Sequence, residues 1–287
     1  MEGVQQKGKE DTDLRLFMHT PVLLQKAIEN LNVSTGGKYI DATFGEGGYS
    51  YEILERGGTV LGIDLDFSQI SNPKSQIQNL KLVQGNFADI ESIAKENGFY
   101  PVDGVIFDLG LSMRQIKESG RGFSYKKLDD PLDMRLNINY KLTAEELIKR
   151  SDEKVLYEIF AKNSEEIRSK EIAAVVKSRK VMKSVGDLVS SIDRAIGYKS
   201  SSVYARIFQA LRIEVNNEFE NLKKGLTGAV NILKRKGRIV IVSFHSLEDR
   251  IVKNFSREKK LNFLSKKPIT GLRSFERSAK LRTIISS

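Results

Sequence analysis

The sequence predicts an α/β fold in which a mostly parallel sheet carries an inserted α-helical subdomain. Three observations support this. Short apolar runs at 39–42, 59–63, 80–84, 105–107 and 238–243 alternate with helix-period segments, the rhythm of β-α-β units. The first run leads into a glycine cluster, Gly45, Gly47 and Gly48, and two later runs end on acids, Asp64 and Asp108. Between the fourth and fifth runs lie about 130 residues without a strand pattern. A crossover needs far fewer, so the surplus forms its own unit.

Residues 39–42 read as the first strand, and 49–56 as a helix stopped by the Gly57-Gly58 pair. Strands follow at 59–63, at 80–84 and at 105–107. The helical stretch reads as segments 143–149, 153–163, 167–180, 185–196 (closed by Gly197) and 204–219. In the last of these, Ile207, Leu211, Val215 and Phe219 recur every four residues, with Phe208 and Leu222 extending the stripe; core packing accounts for it. The fifth strand, 238–243, is rich in β-branched residues. Segments 261–264 and 281–285 are expected to close the sheet as an antiparallel pair. The expected division is 1–112 with 212–287 as the core and 113–211 as the insert.

Composition narrows the chemistry. Apolar residues make up 40% and charged residues 29%, the balance of a soluble globular protein. The longest apolar runs fall far short of the roughly 18 residues of a membrane helix. The N-terminal stretch is polar, without the apolar centre of a secretion signal, so a cytoplasmic setting is expected. With no cysteine there is no disulfide, thiolate nucleophile or Cys-based metal site. With His19 and His245 the only histidines, no His-rich metal cluster can form, and no metal is expected. The net charge is +10, and residues 250–287 carry eleven basic against two acidic side chains. A basic segment of this kind attracts polyanions, RNA included, or simply stays solvated.

The segment Asp41-Ala42-Thr43-Phe44-Gly45-Glu46-Gly47-Gly48 joins a strand to a helix. Its glycines let a ligand approach the backbone, and helix-start N–H groups favour a negative group. Asp64 follows at the end of the next strand, where a carboxylate can hold two ribose hydroxyls. Together they point to a cofactor containing adenosine. The third glycine of a nicotinamide fingerprint is replaced by Ser50, and Asp41 suits a cationic amine. Both features favour S-adenosylmethionine. After the third strand, Asn86-Phe87 offers a ring for an adenine face, or for core packing. Asp108-Leu109-Gly110-Leu111-Ser112 follows the fourth strand, at the sheet edge where ligands bind; Asp108 serves the chemistry or caps a helix. His245, after the fifth strand, is a substrate contact or a structural hydrogen bond, and His19 caps or packs near an N-terminal helix or acts near the site.

Eight blocks, in order, make the sequence resemble the MraW-type ribosomal RNA small-subunit methyltransferase H family. They are His19-Thr20-Pro21-Val22, the glycine block 43–48, Asp108-Leu109-Gly110, Arg121-Gly122-Phe123-Ser124, Pro131-Leu132-Asp133-Met134-Arg135, and the stretches 208–216, 243–250 and 278–282. The resemblance implies a class I (Rossmann-like) S-adenosylmethionine-dependent methyltransferase core with a helical insert. It implies methyl transfer to the exocyclic N4 of a cytidine in 16S rRNA, within the decoding region of the small ribosomal subunit. It carries cofactor roles to Gly47, Gly48, Tyr49, Asp64, Phe87, Asp108 and Gln115; Gly45 and Glu46 of the glycine loop join the candidate cofactor set, and Asp108 and His245 are the catalytic candidates. The cofactor is then S-adenosyl-L-methionine and the partner rRNA, with no membrane and with a homodimer as a candidate assembly. Tyr49 stands where the family carries His, and the loops at 112–115 and 197–202 depart from its pattern. The residue reading also admits a noncatalytic RNA-binding assembly protein of the same fold, or a methyltransferase with another substrate. On the family reading, the amine proton passes to Asp108, while Lys266, Lys267, Arg273, Arg277, Lys280 and Arg282 position rRNA phosphates.

Overall fold

The computed structural model describes residues 20–66, 77–271, 276 and 278–286. The strands are β1 (Lys38–Asp41), β2 (Thr59–Asp64), β3 (Leu80–Gln84), β4 (Val102–Asp108), β5 (Leu233–Ser243), β6 (Asn262–Phe263), β7 (Ile269–Thr270) and β8 (Lys280–Ile285). They form one sheet in the order β3-β2-β1-β4-β5-β8-β6, with β7 pairing on β8. The pairs from β3 across to β5 are parallel, and β8 runs antiparallel to β5 and β6. The expected closing pair at 261–264 and 281–285 therefore forms, in the register Phe263↔Ile284. Strands flanked by helices on both faces are apolar almost throughout, which is why the sequence shows them as runs rather than alternations.

The helices are α1 (Leu24–Leu31), α2 (Gly48–Glu55), α3 (Ile90–Glu96), α4 (Met113–Glu118), α5 (Ala144–Arg150), α6 (Glu153–Ser164), α7 (Ser169–Ser178), α8 (Val185–Ile196), α9 (Ser201–Asn216), α10 (Glu218–Ile232) and α11 (Ser246–Glu258). The sheet buries one apolar cluster on each face. One holds Ile40, Leu61, Val105, Phe107, Leu226 and Ile241; the other holds Ile28, Tyr39, Tyr49, Ile106 and Val240. A third cluster, drawn from residues 132–215, packs α5 to α9 together around Phe160, Ile172, Leu188, Ile207 and Leu211.

Two expected helices differ from the observed ones. The predicted 204–219 helix breaks at Asn217, whose backbone is left-handed at φ 51°. Asparagine tolerates that conformation better than most residues. Asn216, just before it, is buried. Its amide donates to the Met134 carbonyl at 2.8 Å and accepts from the Leu136 N–H at 2.7 Å. The apolar stripe is thus divided. Ile207, Leu211 and Val215 belong to the helical cluster, whereas Leu222, on α10, packs into the sheet core. The predicted 167–180 helix is shorter, Ser169–Ser178, and leaves Ile167 93% exposed in the turn before it.

Candidate functional site

The strand order reverses between β1 and β4, and a crevice opens at the carboxyl ends of the strands flanking such a switch point. Asp41 ends β1 and Asp108 ends β4. Just past β1, the loop of Gly45, Glu46 and Gly47 turns into α2. Gly47 takes φ 82°, and a Cβ there would stand 2.6 Å from the Phe44 ring, so only glycine fits. The Gly45 N–H donates to Asp64 Oδ2 at 2.7 Å, and Oδ1 of the same carboxylate accepts the Asp66 N–H at 2.8 Å. Burial holds the Asp64 carboxyl above its usual range.

Asp41 is fully buried. Its oxygens accept from Ser50 Oγ at 2.7 Å and from the Thr43 N–H at 3.3 Å, yet desolvation still pushes its pKa up to about 6. Asp108 is pushed further, to about 7, mainly by burial and also by the negative charges of Asp41 and Glu248. Its backbone N–H donates to Thr43 Oγ1 at 2.7 Å, tying the two strand ends together. Tyr49, on the first turn of α2, donates its hydroxyl proton to the Val22 carbonyl at 2.5 Å, and its hydroxyl lies near enough to the Asp108 carboxyl to hold that group's pKa down somewhat. Burial raises the Tyr49 phenol well above its ordinary value, so it stays neutral. The charged groups acting on Asp41 and Asp108 are themselves acidic (Asp64, Glu248 and Asp41). Such a donor set suits a cationic ligand: a sulfonium or ammonium group would relieve the repulsion between these carboxyls.

The other predicted residues lie along the same rim. Asp64 pairs with Gln84 in the sheet, and the Gly85 N–H donates to the Asp64 carbonyl at 2.9 Å, which brings the Asn86-Phe87 turn next to the glycine loop. Asn86 caps the 3₁₀ turn Phe87–Asp89 through Ala88, with a 2.9 Å bond. The Phe87 ring meets Phe107 edge-on at 5.7 Å and packs against Gly225 of α10, so part of its surface serves the core. Gln115 sits on α4, where its side-chain carbonyl accepts the Ser112 N–H at 2.9 Å in a capping box. His245 is the N-cap of α11. Its Nδ1 accepts the Glu248 N–H at 3.4 Å and its Nε2 lies 3.0 Å from Glu248 Oε1. His19, Arg273 and Arg277 lie outside the described residues. Arg282 does not face solvent as expected: it is 8% exposed and paired through two nitrogens with buried Asp249, which also draws Lys280 to 3.8 Å. A guanidinium committed to a buried carboxylate is not free for phosphate, whereas Lys266 and Lys267 are exposed.

Several contributors escaped the sequence reading. Thr43 and Ser50 orient Asp108 and Asp41, and neither carries a local signature. Glu248 accepts the Phe244 N–H at 2.8 Å and loads negative charge onto Asp108. The spacing His245-x-x-Glu248 matches a capping box and could have exposed it. Arg121 reaches from the 119–142 loop region to Asp66 at 2.7 Å while donating to the Arg135 and Leu136 carbonyls. It thereby ties the segment beyond β2 to the segment leading into the helical cluster.

Together, the switch-point crevice, the glycine turn and the carboxylate gripping it define an α/β protein built to hold an adenosine-type cofactor. A family model described as the MraW methylase family matches residues 16–284. The ribosomal RNA small subunit methyltransferase H of Carboxydothermus hydrogenoformans is 42% identical over 254 residues, covering 85% of this chain and 81% of that protein. Its namesakes in Clostridium botulinum (strain Loch Maree / Type A3) and Cytophaga hutchinsonii are 38% and 41% identical over 303 and 260 residues. The former match covers 93% of this chain and 98% of the relative, and the latter 88% and 87%. This chain belongs to the MraW methylase family.

Proposed function

We propose that this chain transfers a methyl group from S-adenosylmethionine to the exocyclic N4 of a cytidine in 16S rRNA of the small ribosomal subunit. The observation that carries this reading is the family match over residues 16–284, which takes in every rim residue described above. Residues 1–112 and 212–287 are taken as the catalytic core and 113–211 as the insert that selects RNA, with the last turn of α9, Val215 included, packing on the insert side of that boundary. No described helix is long and apolar enough to cross a membrane. A cytoplasmic location, and a homodimer as one candidate assembly, belong to this proposal.

In this reading the loop Gly45-Glu46-Gly47-Gly48, shaped by the Gly45 N–H bond to Asp64 and the Gly47 N–H bond to the Phe44 carbonyl, borders the cofactor's carboxylate end, and Asp41 takes its ammonium. Asp64 accepts from the ribose hydroxyls, and Phe87 and Gln115 border the adenine. S-adenosylmethionine, when bound, supplies an electrophilic methyl on a cationic sulfur. The cytidine amine is a weak nucleophile because its lone pair is delocalised into the ring. Asp108 accepts the proton that this nitrogen sheds as it takes the methyl carbon, the carbon–sulfur bond breaking to leave a neutral thioether. A carboxyl near pKa 7 takes up and returns a proton at little cost at neutral pH. Tyr49 keeps that carboxyl oriented, and Thr43 fixes the strand end beneath it. Alignment of amine and methyl supplies much of the rest. His245 is kept as a substrate-side residue, braced by Glu248.

The test is mass spectrometry of 16S rRNA from cells lacking this protein, with and without the chain restored. An N4-methylcytidine that disappears and returns on complementation is the expected result. Unchanged modification would overturn the assignment.

A further inference from the structure

A cleft of about 560 Å³ opens beside the rim, outside the glycine loop and Asp64. Leu111, three residues past Asp108, is among its lining residues. One wall is aromatic: Tyr125 stands edge-on to Phe208 at 6.2 Å and tilted against Tyr204 at 5.6 Å, with Phe123 alongside. Gln209 and Arg212, from the same helix α9 as Phe208, also line the cleft. Gln209 spends its amide nitrogen on the Asn163 carbonyl at 3.2 Å. Arg212 is held by Glu218 at 2.8 and 2.9 Å through its Nε and one Nη, which leaves the second Nη as a donor. The mouth carries Lys117, Lys126 and Lys127, all exposed. Lys127 bonds the Lys117 carbonyl, and among the described residues neither Lys117 nor Lys126 is paired with a carboxylate.

We propose that this cleft receives the target nucleotide, unstacked from its RNA; the inference rests on the methyl-transfer reading above. A flat heterocycle fits an aromatic wall, because every base has a π-face to stack. A pyrimidine whose edge carries ring-nitrogen and carbonyl acceptors matches the free donor of Arg212. The lysine mouth meets the flanking phosphates, which position the strand without reading its sequence. The volume lies in the range of sites that enclose a ligand of nucleotide size. Leu111, three residues past Asp108 in the chain, lines the cleft, and on this proposal the base edge lies on that side. Phosphate-only docking would need the lysines but not the rings, and a patch of core would need the rings but not the lysines; the cleft has both.

The test compares wild type, Tyr125→Leu, Tyr125→Phe and the double variant Lys117→Glu/Lys126→Glu. Each is assayed for methyl transfer to small ribosomal subunits from cells lacking the protein, and for S-adenosylmethionine affinity by calorimetry. Tyr125→Leu keeps apolar bulk but loses the ring, and should lower kcat/KM about tenfold or more, with cofactor affinity within twofold of wild type. Tyr125→Phe should restore transfer. The lysine variant should raise KM for subunits with kcat little changed, and should flatten the salt dependence of binding. Ultraviolet crosslinking of wild type to subunits should mark residues 123–127 or 205–212. Normal wild-type transfer with insensitive variants, crosslinks confined elsewhere, or variants that weaken cofactor binding in parallel would overturn the cleft assignment alone. A wild-type chain that binds the cofactor yet leaves subunits unmethylated would overturn the underlying reading and this proposal with it.

Discussion

Replacing Asp108 with Asn removes a carboxyl that the fold keeps in an unfavourable setting. Its pKa rises from 3.8 to about 7, with burial as the main cause. At 1.36 kcal/mol per tenfold in proton affinity, that rise corresponds to roughly 4 kcal/mol. Because the folded value lies above the unfolded one, the protonated carboxyl supports the fold fully below pH 3.8, and this contribution is lost as pH climbs through about 7. Asn keeps an acceptor for the Gly110 N–H, 3.4 Å away, and carries no charge to bury. Asp41 titrates in both proteins and largely cancels. The cofactor-free Asn variant should therefore already melt somewhat above wild type at pH 5, and the gap should widen by roughly 2.5 kcal/mol up to pH 8. At about 2–4 °C per kcal/mol for chains of this size class, that widening should be on the order of 5–10 °C. Scanning calorimetry of the cofactor-free chain at pH 5, 6, 7 and 8 measures it. The same variant should lose nearly all methyl transfer, so stability and activity move in opposite directions. A melting difference that stays constant with pH would refute the reasoning, since it would mean that Asp108 titrates like an ordinary carboxyl.

Asp64→Ala removes the acceptor for both the Gly45 and Asp66 N–H groups and should weaken S-adenosylmethionine binding at least tenfold by calorimetry; an unchanged Kd would place the ribose elsewhere. Gly47→Ala forces a Cβ into the Phe44 ring at φ 82° and should cost about 1–3 kcal/mol in urea unfolding, with an unmoved midpoint as the contrary result. Glu248→Ala deletes the acceptor for the Phe244 N–H and should cost about 1–3 kcal/mol. Because Glu248 holds the Asp108 carboxyl up, this variant should also move the acid limb of the transfer-versus-pH profile to lower pH, and a limb that stays in place would disconnect the two residues.

The parallel strands, the glycine turn and the strand-end acids were legible in the sequence because each leaves a local trace: continuous apolar runs, positions that need positive φ, and carboxylates at strand exits. The spacing from the glycine turn to Asp64 sufficed to place the two on one rim, since β1 and β2 are neighbours joined by one short helix. What periodicity could not reveal was where the apolar stripe of residues 207–222 divides, because Asn216 finds its partners, Met134 and Leu136, some eighty residues away. Nor could charge counting reveal that Arg282 would be consumed by Asp249, since the tail's basicity is a sum and its pairing is a matter of position. The raised pKa values of the rim carboxyls are likewise a tertiary product. Asp41 and Asp108 are 67 residues apart in the chain and become mutual neighbours only because β1 and β4 lie side by side, away from water. Local chemistry is written in the residues themselves, but desolvation and long-range pairing exist only once the chain has closed around them.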